Sequence, residues 1–171
     1  MSTGTMVSLE EYLATAYEPD CDFVDGSLEE RNVGEWDHAL LQSNIGAYLF
    51  PRCKTQGMIV LSALRIRVAQ GRVRVPDLCV FLADPKQSVP TTPPFLCIEI
   101  LSPEDRMSRV QVRVNDFLAM GVNTVWILDP ETRQAYTATA VDGLREVKTG
   151  VLRTESPVIE MLLAEVFGDE N

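Results

Sequence analysis

The sequence predicts an α/β (α+β) fold in which helices flank a mixed β-sheet. Its hydrophobic periodicity runs in the order helix, hairpin, helix, several strands, long helix and further strands, an order that favours a helix-covered sheet. The chain has 171 residues, of which 46% are hydrophobic and 23% charged, as is typical of a globular protein. We therefore expect a single domain over residues 1–171 with its own core.

Two global properties bear on where the protein works and what it binds. No apolar stretch reaches the roughly 18 to 20 residues of a membrane-spanning helix, and the opening MSTGTMVSLEEY lacks the basic start and apolar centre of a secretory signal. We expect a cytoplasmic protein without a membrane partner. The net charge of −10 weighs against a broad basic surface for nucleic acid, although it leaves room for a local basic face.

The first part of the chain predicts a short helix, a hairpin and a longer helix. SLEEYLATAY begins with a capping box of Ser8 and Glu11, and CDFVDGSLEERNV places Asp25-Gly26 between two extended runs, as in a two-residue hairpin turn. In DHALLQSNIGAYLF we expect Asp37 to be the N-cap. The apolar residues of this helix recur at helical spacing: Leu41, Ile45, Tyr48 and Leu49.

The segment LSALRIRVAQGRVRVPDLCVFLA alternates on both sides of Gln70-Gly71, which predicts a second hairpin. One face is apolar: Leu64, Ile66, Val68, Val73 and Val75. The other carries arginines: Arg65, Arg67, Arg72 and Arg74. We interpret the arginines as facing water, with phosphate contacts as the alternative.

The second half predicts a buried strand, a long helix and further strands. FLCIEIL is apolar on both faces apart from Glu99, and SPEDRMSRVQVRVNDFLAMG should form a helix from Ser102-Pro103 to Gly121. TVWILD, QAYTATAVDG and REVKTG predict strands, and PVIEMLLAEVF predicts a closing helical segment. We expect Trp126 to pack in the core rather than to stack on bases.

The cysteines do not suggest a metal site or a disulfide framework. None of them forms a Cys-x-x-Cys pair, and the chain has a single histidine, so a zinc-type ligand set is absent from the sequence. Cys79 and Cys97 alternate with apolar neighbours. We therefore expect small buried hydrophobes in a reducing compartment rather than redox-active thiols.

Two carboxylates interrupt apolar runs: Asp77 in RVRVPDLCVF and Glu99 in FLCIEILSP. A buried ionised carboxylate is normally paired, hydrogen-bonded or bound to a metal. If the two strands are neighbours, the carboxylates converge and can hold a hard divalent cation such as Mg²⁺ or Mn²⁺. The alternative is that Pro76 ends a strand, Asp77 lies in a turn and Glu99 pairs with an arginine of the hairpin. The residue pattern alone leaves both interpretations open.

The order of the motifs resembles a known family. Read along the chain, FVDGSLEE, a histidine opening a helix, VRVPDLCVF, FLCIEILSPEDR and FLAMGVNTVWILDPET are similar to the Uma-type putative restriction endonucleases of the PD-(D/E)XK nuclease superfamily. The resemblance covers nearly all of the chain, from about Tyr17 to LLAEVF. It implies a restriction-endonuclease-like mixed sheet flanked by helices.

The resemblance also implies roles for particular residues. Asp77 matches the Pro-Asp metal ligand and Glu99 the acidic residue of (D/E)XK, and the carbonyl of Ile100 is a further expected metal ligand. Glu30 falls where the family places another glutamate facing the site. His38 matches the histidine that opens the next helix, and a surface position at the helix terminus is its alternative.

Two positions depart from the superfamily pattern. The lysine expected two residues after Glu99 is Leu101, and the helix position that offers a lysine instead is Arg113. Arginine can hold a phosphate, but it stays charged and cannot deprotonate water. Arg106 and Arg109 lie on the same helix and either contribute or form a solvated face.

Three functional hypotheses follow. The first is an endonuclease that hydrolyses DNA with a Mg²⁺- or Mn²⁺-activated water, with Arg113 on the scissile phosphate and a homodimer as the expected assembly. The second is a nuclease fold that serves as a binding or assembly module. Leu101 and Arg113, which stand where a lysine is expected, would then indicate that catalytic activity has been lost. The third, an unrelated α+β domain, requires the whole motif order to be a coincidence.

Overall fold

A computed structural model of the protein describes residues 6–31 and 34–168. The helices are α1 (Leu9–Ala14), α2 (Trp36–Thr55), α3 (Met107–Met120) and α4 (Leu163–Phe167). The strands up to the long loop are β1 (Cys21–Val24), β2 (Ser27–Glu30), β3 (Ile59–Ser62), β4 (Ile66–Ala69), β5 (Arg72–Arg74) and β6 (Leu78–Phe81). The later strands are β7 (Leu96–Ile100), β8 (Thr124–Asp129), β9 (Gln134–Thr139), β10 (Gly143–Glu146), β11 (Val151–Arg153) and β12 (Glu160–Leu162).

The described strands form separate sheets rather than one. The central sheet has the order β10-β9-β8-β7-β6-β3, and it is mixed because β7 and β8 run parallel while its other pairs are antiparallel. A smaller antiparallel sheet has the order β2-β1-β5-β4, and β11 pairs with β12. Helix α3 is the crossover between the parallel strands β7 and β8, as a parallel connection requires. The predicted mixed sheet flanked by helices is confirmed.

The central sheet is buried on both faces, which explains why β6 and β7 are apolar at successive positions. One face packs against α2 through a cluster that includes Leu41, Ile45, Leu49, Val80, Ile98 and Trp126. The opposite face packs against α3 through a cluster that includes Cys79, Cys97, Val110, Val114, Phe117 and Ile127. Trp126 is fully buried, and Cys79 and Cys97 are buried, as the sequence predicts; Cys21 and Cys53 are buried as well.

Several local predictions are confirmed. Ser8 caps α1 by accepting a hydrogen bond from the Glu11 N–H at 3.1 Å. Asp25-Gly26 joins β1 to β2, and the alternating arginine segment forms the β4–β5 hairpin. Helix α3 ends at Gly121, whose φ of 108° is favourable only for glycine.

Other local predictions are wrong in their boundaries. Helix α2 begins at Trp36, so Asp37 lies in the first helical turn and is not the N-cap. Helix α3 begins at Met107 rather than at Ser102, because the Ser102 N–H donates to the Asp105 carboxylate at 2.7 Å and closes a turn first. The closing segment contains strand β12 before the short helix α4.

Two predictions extend to residues outside the described range. The second extended run after Asp25-Gly26 reaches Asn32 and Val33, and the expectation of no secretory signal includes residues 1–5. Within the described residues, no helix is both long enough and apolar enough to cross a membrane.

Candidate active site

Asp77 lies where the chain passes from the small sheet to the central sheet. Pro76 lacks an N–H and cannot continue β5 as a paired strand, so the chain is released at this point and enters β6. In the β6–β7 pair, Leu78 is opposite Ile98 and Cys79 is opposite Cys97. Extending this register by one residue places Asp77 opposite Glu99. Directly opposed residues have Cα atoms about 4.5 to 5.5 Å apart and share a face of the sheet.

The Asp77 carboxylate is only 4% exposed and each of its oxygens is engaged. The Ile100 N–H donates to Oδ2 at 2.7 Å, and the Arg31 guanidinium donates to Oδ1 at 2.7 Å. His38 Nε2 lies 3.4 Å from the same Oδ1. Burial acts to raise the pKa of Asp77, but the interactions with His38, Arg31 and the Ile100 N–H outweigh it and lower this pKa overall. Asp77 is therefore held as a carboxylate.

The Glu99 carboxylate is 3% exposed, and only one of its two oxygens has a hydrogen-bond partner among the described residues. Its Oε2 accepts a hydrogen bond from Arg113 Nη2 at 2.6 Å, whereas Oε1 is buried without a hydrogen-bond partner among the described residues. Burial raises the pKa of Glu99 to about 8, although Arg113 opposes the increase; the nearby charge of Asp77 adds to it. Two neighbouring carboxylates thus have pKa values shifted in opposite directions, a common property of functional sites.

Arg113 reaches this pair from the middle of α3. Its Nη2 lies 3.5 Å from the Val75 carbonyl and its Nε lies 3.6 Å from the carboxylate of Asp22. Burial acts to lower the pKa of Arg113, but the charges of Glu99 and Asp22 raise it overall. Arg113 therefore stays a cation and fixes the orientation of Glu99, and it cannot serve as a proton acceptor.

The donor set fits a hard divalent cation. Asp77 and Glu99 offer carboxylate oxygens on the same side of neighbouring strands, and the unpartnered Glu99 Oε1 leaves one buried oxygen available. Within residues 6–31 and 34–168, no three His, Cys, Asp or Glu side chains are grouped as a metal site. An ion here would therefore take much of its coordination from backbone and water oxygens, as Mg²⁺ commonly does.

The structure brings most of the predicted site residues together. Asp77, Glu99, Ile100, His38 and Arg113 lie within one network of contacts. We define these residues together with Arg31 as the Asp77 site. Glu30 is the exception, because it is exposed at the end of β2 and lies on the wall of a larger neighbouring cavity.

Sequence reasoning missed some of the residues that contact this site. Arg31 was overlooked although it directly follows Glu29-Glu30, and Gln42 donates to the Asp77 carbonyl at 3.0 Å. Asp22 was also overlooked. It interrupts the buried strand β1 in the same way that Glu99 interrupts β7, and that pattern could have identified it.

A second buried ion cluster lies beside the Asp77 site. Arg74 is 1% exposed and donates to Asp22 at 3.1 Å, to Glu29 at 2.6 Å and to Asp116 at 2.8 Å. Asp22 also accepts the Val75 N–H at 2.9 Å. We call these four side chains, Asp22, Glu29, Arg74 and Asp116, the Arg74 network. The expectation that the hairpin arginines face water is wrong for Arg74, because α3 and β2 supply carboxylates that cover it. It is also wrong for Arg65, whose side chain is only 16% exposed and donates to Asp20 at 2.6 Å.

A cavity of about 640 Å³ opens in front of the Asp77 site, between β2 and α3. A narrow recess of about 20 Å³ leads to Asp77. Arg31, Asp105 and Arg113 line both spaces, so the two adjoin. Asp77 therefore lines a recess beside the cavity, and Glu99 lies buried next to it rather than on an open surface.

Comparison with known proteins agrees with this architecture. Residues 9–167 match the Uma2 family, described as putative restriction endonuclease. The crystal structure of a putative nuclease belonging to DUF820 from Anabaena variabilis ATCC 29413 superposes with a TM-score of 0.76. That match has 19% sequence identity and covers 94% of this chain and 97% of the other, so it shows a shared fold. No curated protein matches the chain.

Proposed function

The chain belongs to the Uma2 family of putative restriction endonucleases, and on this basis we propose that it is a metal-dependent endonuclease that hydrolyses DNA phosphodiester bonds. The observation that carries the proposal is the pairing of Asp77 with Glu99. Extending the β6–β7 register sets the two residues opposite each other, and Glu99 keeps one buried oxygen without a partner among the described residues. A protein that needed these carboxylates only for stability would be expected to satisfy both of them.

The chain's own residues would hold and orient the reacting groups. Asp77 and Glu99, with the Ile100 carbonyl, would hold Mg²⁺ or Mn²⁺. When bound, the cation would lower the pKa of a water and stabilise charge on the phosphate oxygens. Arg113 would contact the scissile phosphate while its Nη2 keeps Glu99 in place.

Two further residues have supporting roles in this proposal. His38 Nε2, 3.4 Å from Asp77 Oδ1, would help to hold that carboxylate in its ionised state. Glu30 lines the cavity rather than the recess, so we assign it contacts with the bound substrate and not with the metal.

The alternative is a nuclease fold that serves as a binding or assembly module. Arg113 favours this alternative, because it occupies the helix position expected to offer a lysine and is already bonded to Glu99. Leu101 supplies no base at the other expected position. The two functions differ in metal binding, which titration calorimetry with Mg²⁺ and Mn²⁺ measures directly.

Cleavage of supercoiled plasmid and of single-stranded DNA in the presence of Mg²⁺ or Mn²⁺ tests the proposed activity. We expect Asp77→Asn and Glu99→Gln each to reduce the cleavage rate at least about a hundredfold, because each removes a charged ligand with little change in shape. Asp84→Asn is the matched control, since Asp84 is an exposed aspartate whose contacts are with Lys86.

Equal nicking by the wild type and both site variants would identify a contaminant and refute the site assignment. Absence of cleavage together with absence of millimolar metal binding would favour the binding module. The cytoplasmic location, the single domain and the homodimer stay predictions, and the last of these is checked by light scattering on the purified protein.

A further inference from the structure

The cavity between β2 and α3 has features that bear on the form of the substrate. Asp77 is 4% exposed and lines a narrow recess, and Glu99 is 3% exposed, so a phosphodiester must enter the cavity beside the recess to approach them. In a duplex, each phosphate is held on a rigid cylinder by pairing and stacking. A strand with unpaired bases can bend and enter.

The charges of the cavity wall limit how many phosphates it can bind. Four acidic side chains and four arginines line it, so the wall carries no net positive charge. Its acidic members are Asp22, Glu29, Glu30 and Asp105, and its arginines are Arg31, Arg74, Arg109 and Arg113. The protein as a whole carries −10. Duplex binding across many phosphates needs a positive surface that this face does not provide.

The arginines of the wall are not equally available. Arg74 is buried among three carboxylates, and Arg31 and Arg113 are bonded to the site carboxylates. Arg109 is exposed and forms no ion pair or side-chain hydrogen bond within the part of the chain that the structure describes. It is therefore the wall cation that can bind a phosphate without first breaking an internal contact.

The remaining wall suits a nucleobase or sugar. Leu28 on β2 and Val112 on α3 expose apolar surface into the cavity, and Ser108 adds a hydroxyl. A volume of about 640 Å³ lies within the usual range of about 300 to 1,000 Å³ for pockets that enclose a ligand. The cavity thus combines one available cation with apolar walls, and this combination suits a single nucleotide better than a row of backbone phosphates.

We propose that this cleft binds a single polynucleotide strand, with one phosphate at the Asp77 site and a neighbouring phosphate at Arg109. The unpaired nucleotide between them would lie against Leu28 and Val112. This inference rests on the proposed nuclease function and narrows its substrate to unpaired strands, loops or frayed ends.

Fluorescence anisotropy with labelled 12-nucleotide oligonucleotides tests the inference. The wild-type protein in EDTA is titrated with unpaired DNA, with a blunt duplex of the same sequence and with the matching RNA. We expect unpaired DNA to bind at least about tenfold more tightly than the duplex. In EDTA the one available cation, Arg109, neutralises one phosphate, so the slope of log K against log salt should be about −0.7 for the unpaired strand. The RNA arm shows whether the 2′-hydroxyl is accepted.

Charge reversal of the available cation provides the second measurement. We expect Arg109→Glu to weaken binding of the unpaired strand at least about tenfold and to bring the salt slope close to zero. Arg145→Glu is the matched control because it changes the charge equally on β10, which does not line the cavity, and its binding should equal that of the wild type.

The outcomes separate this inference from the proposed function. Suppose that the protein cleaves DNA in Mg²⁺ but binds the duplex more tightly, or that it cleaves DNA while Arg109→Glu leaves binding of the unpaired strand unchanged. Either result would refute the single-strand inference while still supporting the proposed nuclease function. Selective, Arg109-dependent binding of the unpaired strand without cleavage would support the cleft assignment and refute the nuclease. Failure of all three oligonucleotides to bind would refute the cleft assignment.

Discussion

The Arg74 network and the Asp77 site are neighbouring clusters of buried arginines and carboxylates, yet they differ in how completely their polar atoms are hydrogen-bonded. In the Arg74 network, the guanidinium bonds to three carboxylates and Asp22 also accepts a backbone N–H. In the Asp77 site, Glu99 Oε1 and His38 Nδ1 are buried without hydrogen-bond partners among the described residues. One cluster is complete within the chain, whereas the other keeps polar atoms available.

This difference separates a structural cluster from a functional one. Burying a charge is tolerated when its partners compensate for the loss of water, and the Arg74 network meets that condition. An unsatisfied buried oxygen costs free energy and is expected where a ligand completes the arrangement. The Asp77 site therefore carries a cost in the unliganded protein that a bound cation would relieve.

The largest effect on stability should come from breaking the complete cluster. We expect Arg74→Met to lower the free energy of unfolding by about 3 to 5 kcal/mol, because it leaves Asp22 and Asp116 buried with too few partners. Urea unfolding followed by circular dichroism measures this change.

Arg72→Met is the control for this substitution. Arg72 also bonds to Asp116, but its side chain is 37% exposed, so solvent screens the pair and the loss should be about 1 kcal/mol or less. Equal losses for both variants would mean that the Arg74 network is not more important than a surface ion pair.

An intermediate effect concerns the pH dependence of the Asp77 site. Burial raises the pKa of Glu99 to about 8 in the folded protein, above its value in the unfolded chain. Folding therefore favours the protonated form, and stability is lost as pH rises toward and through 8. Between pH 6 and pH 8 we expect a loss of about 2 kcal/mol in EDTA. Asp77, with its lowered pKa, contributes equally throughout this window and loses its contribution only in acid.

Glu99→Gln should remove this pH dependence, because glutamine does not titrate. Urea unfolding at pH 6, 7 and 8 compares the variant with the wild type. Glu165→Gln, which alters a half-exposed glutamate on α4, should retain the wild-type profile. A wild-type curve as flat as that of Glu99→Gln would show that Glu99 does not take up a proton on folding.

The smallest effect tests whether the two clusters are independent. Asp22 is the bridge between them, but its Oδ2 lies 3.6 Å from Arg113 Nε, longer than a hydrogen bond. In a double-mutant cycle of Arg74→Met and Glu99→Gln, we expect a coupling energy below about 1 kcal/mol. A larger coupling measured by urea unfolding would show that the clusters form one electrostatic unit.

The sequence predicted much of the site because its key residues interrupt local patterns. Asp77 and Glu99 stand out in apolar runs, and their strands prove to be neighbours in the central sheet. Asp22 also interrupts a buried strand and could have been found in the same way, whereas Arg31 was missed because its contact with Asp77 joins residues 46 positions apart in the chain. Such contacts have no local periodicity.

The boundaries and the layer arrangement were harder to predict for a related reason. The pattern around Gln70-Gly71 correctly predicts a hairpin, but it does not show that β5 and β6 enter different sheets. Ser102-Pro103 resembles a helix start, yet the Asp105 carboxylate bonds the Ser102 N–H and delays α3 until Met107. In both cases, a specific contact decides between locally equivalent arrangements.

Local sequence is enough to predict the periodicity of the elements, the turn at Asp25-Gly26, the cap at Ser8 and the identity of the two central carboxylates. These features depend on residues close together in the chain. Three other features follow only from the packing of distant elements: Arg74 is buried, Arg113 binds Glu99, and Glu99 rather than Asp77 has the raised pKa. Burial and charge act through space, so they depend on which elements pack together and not on local sequence.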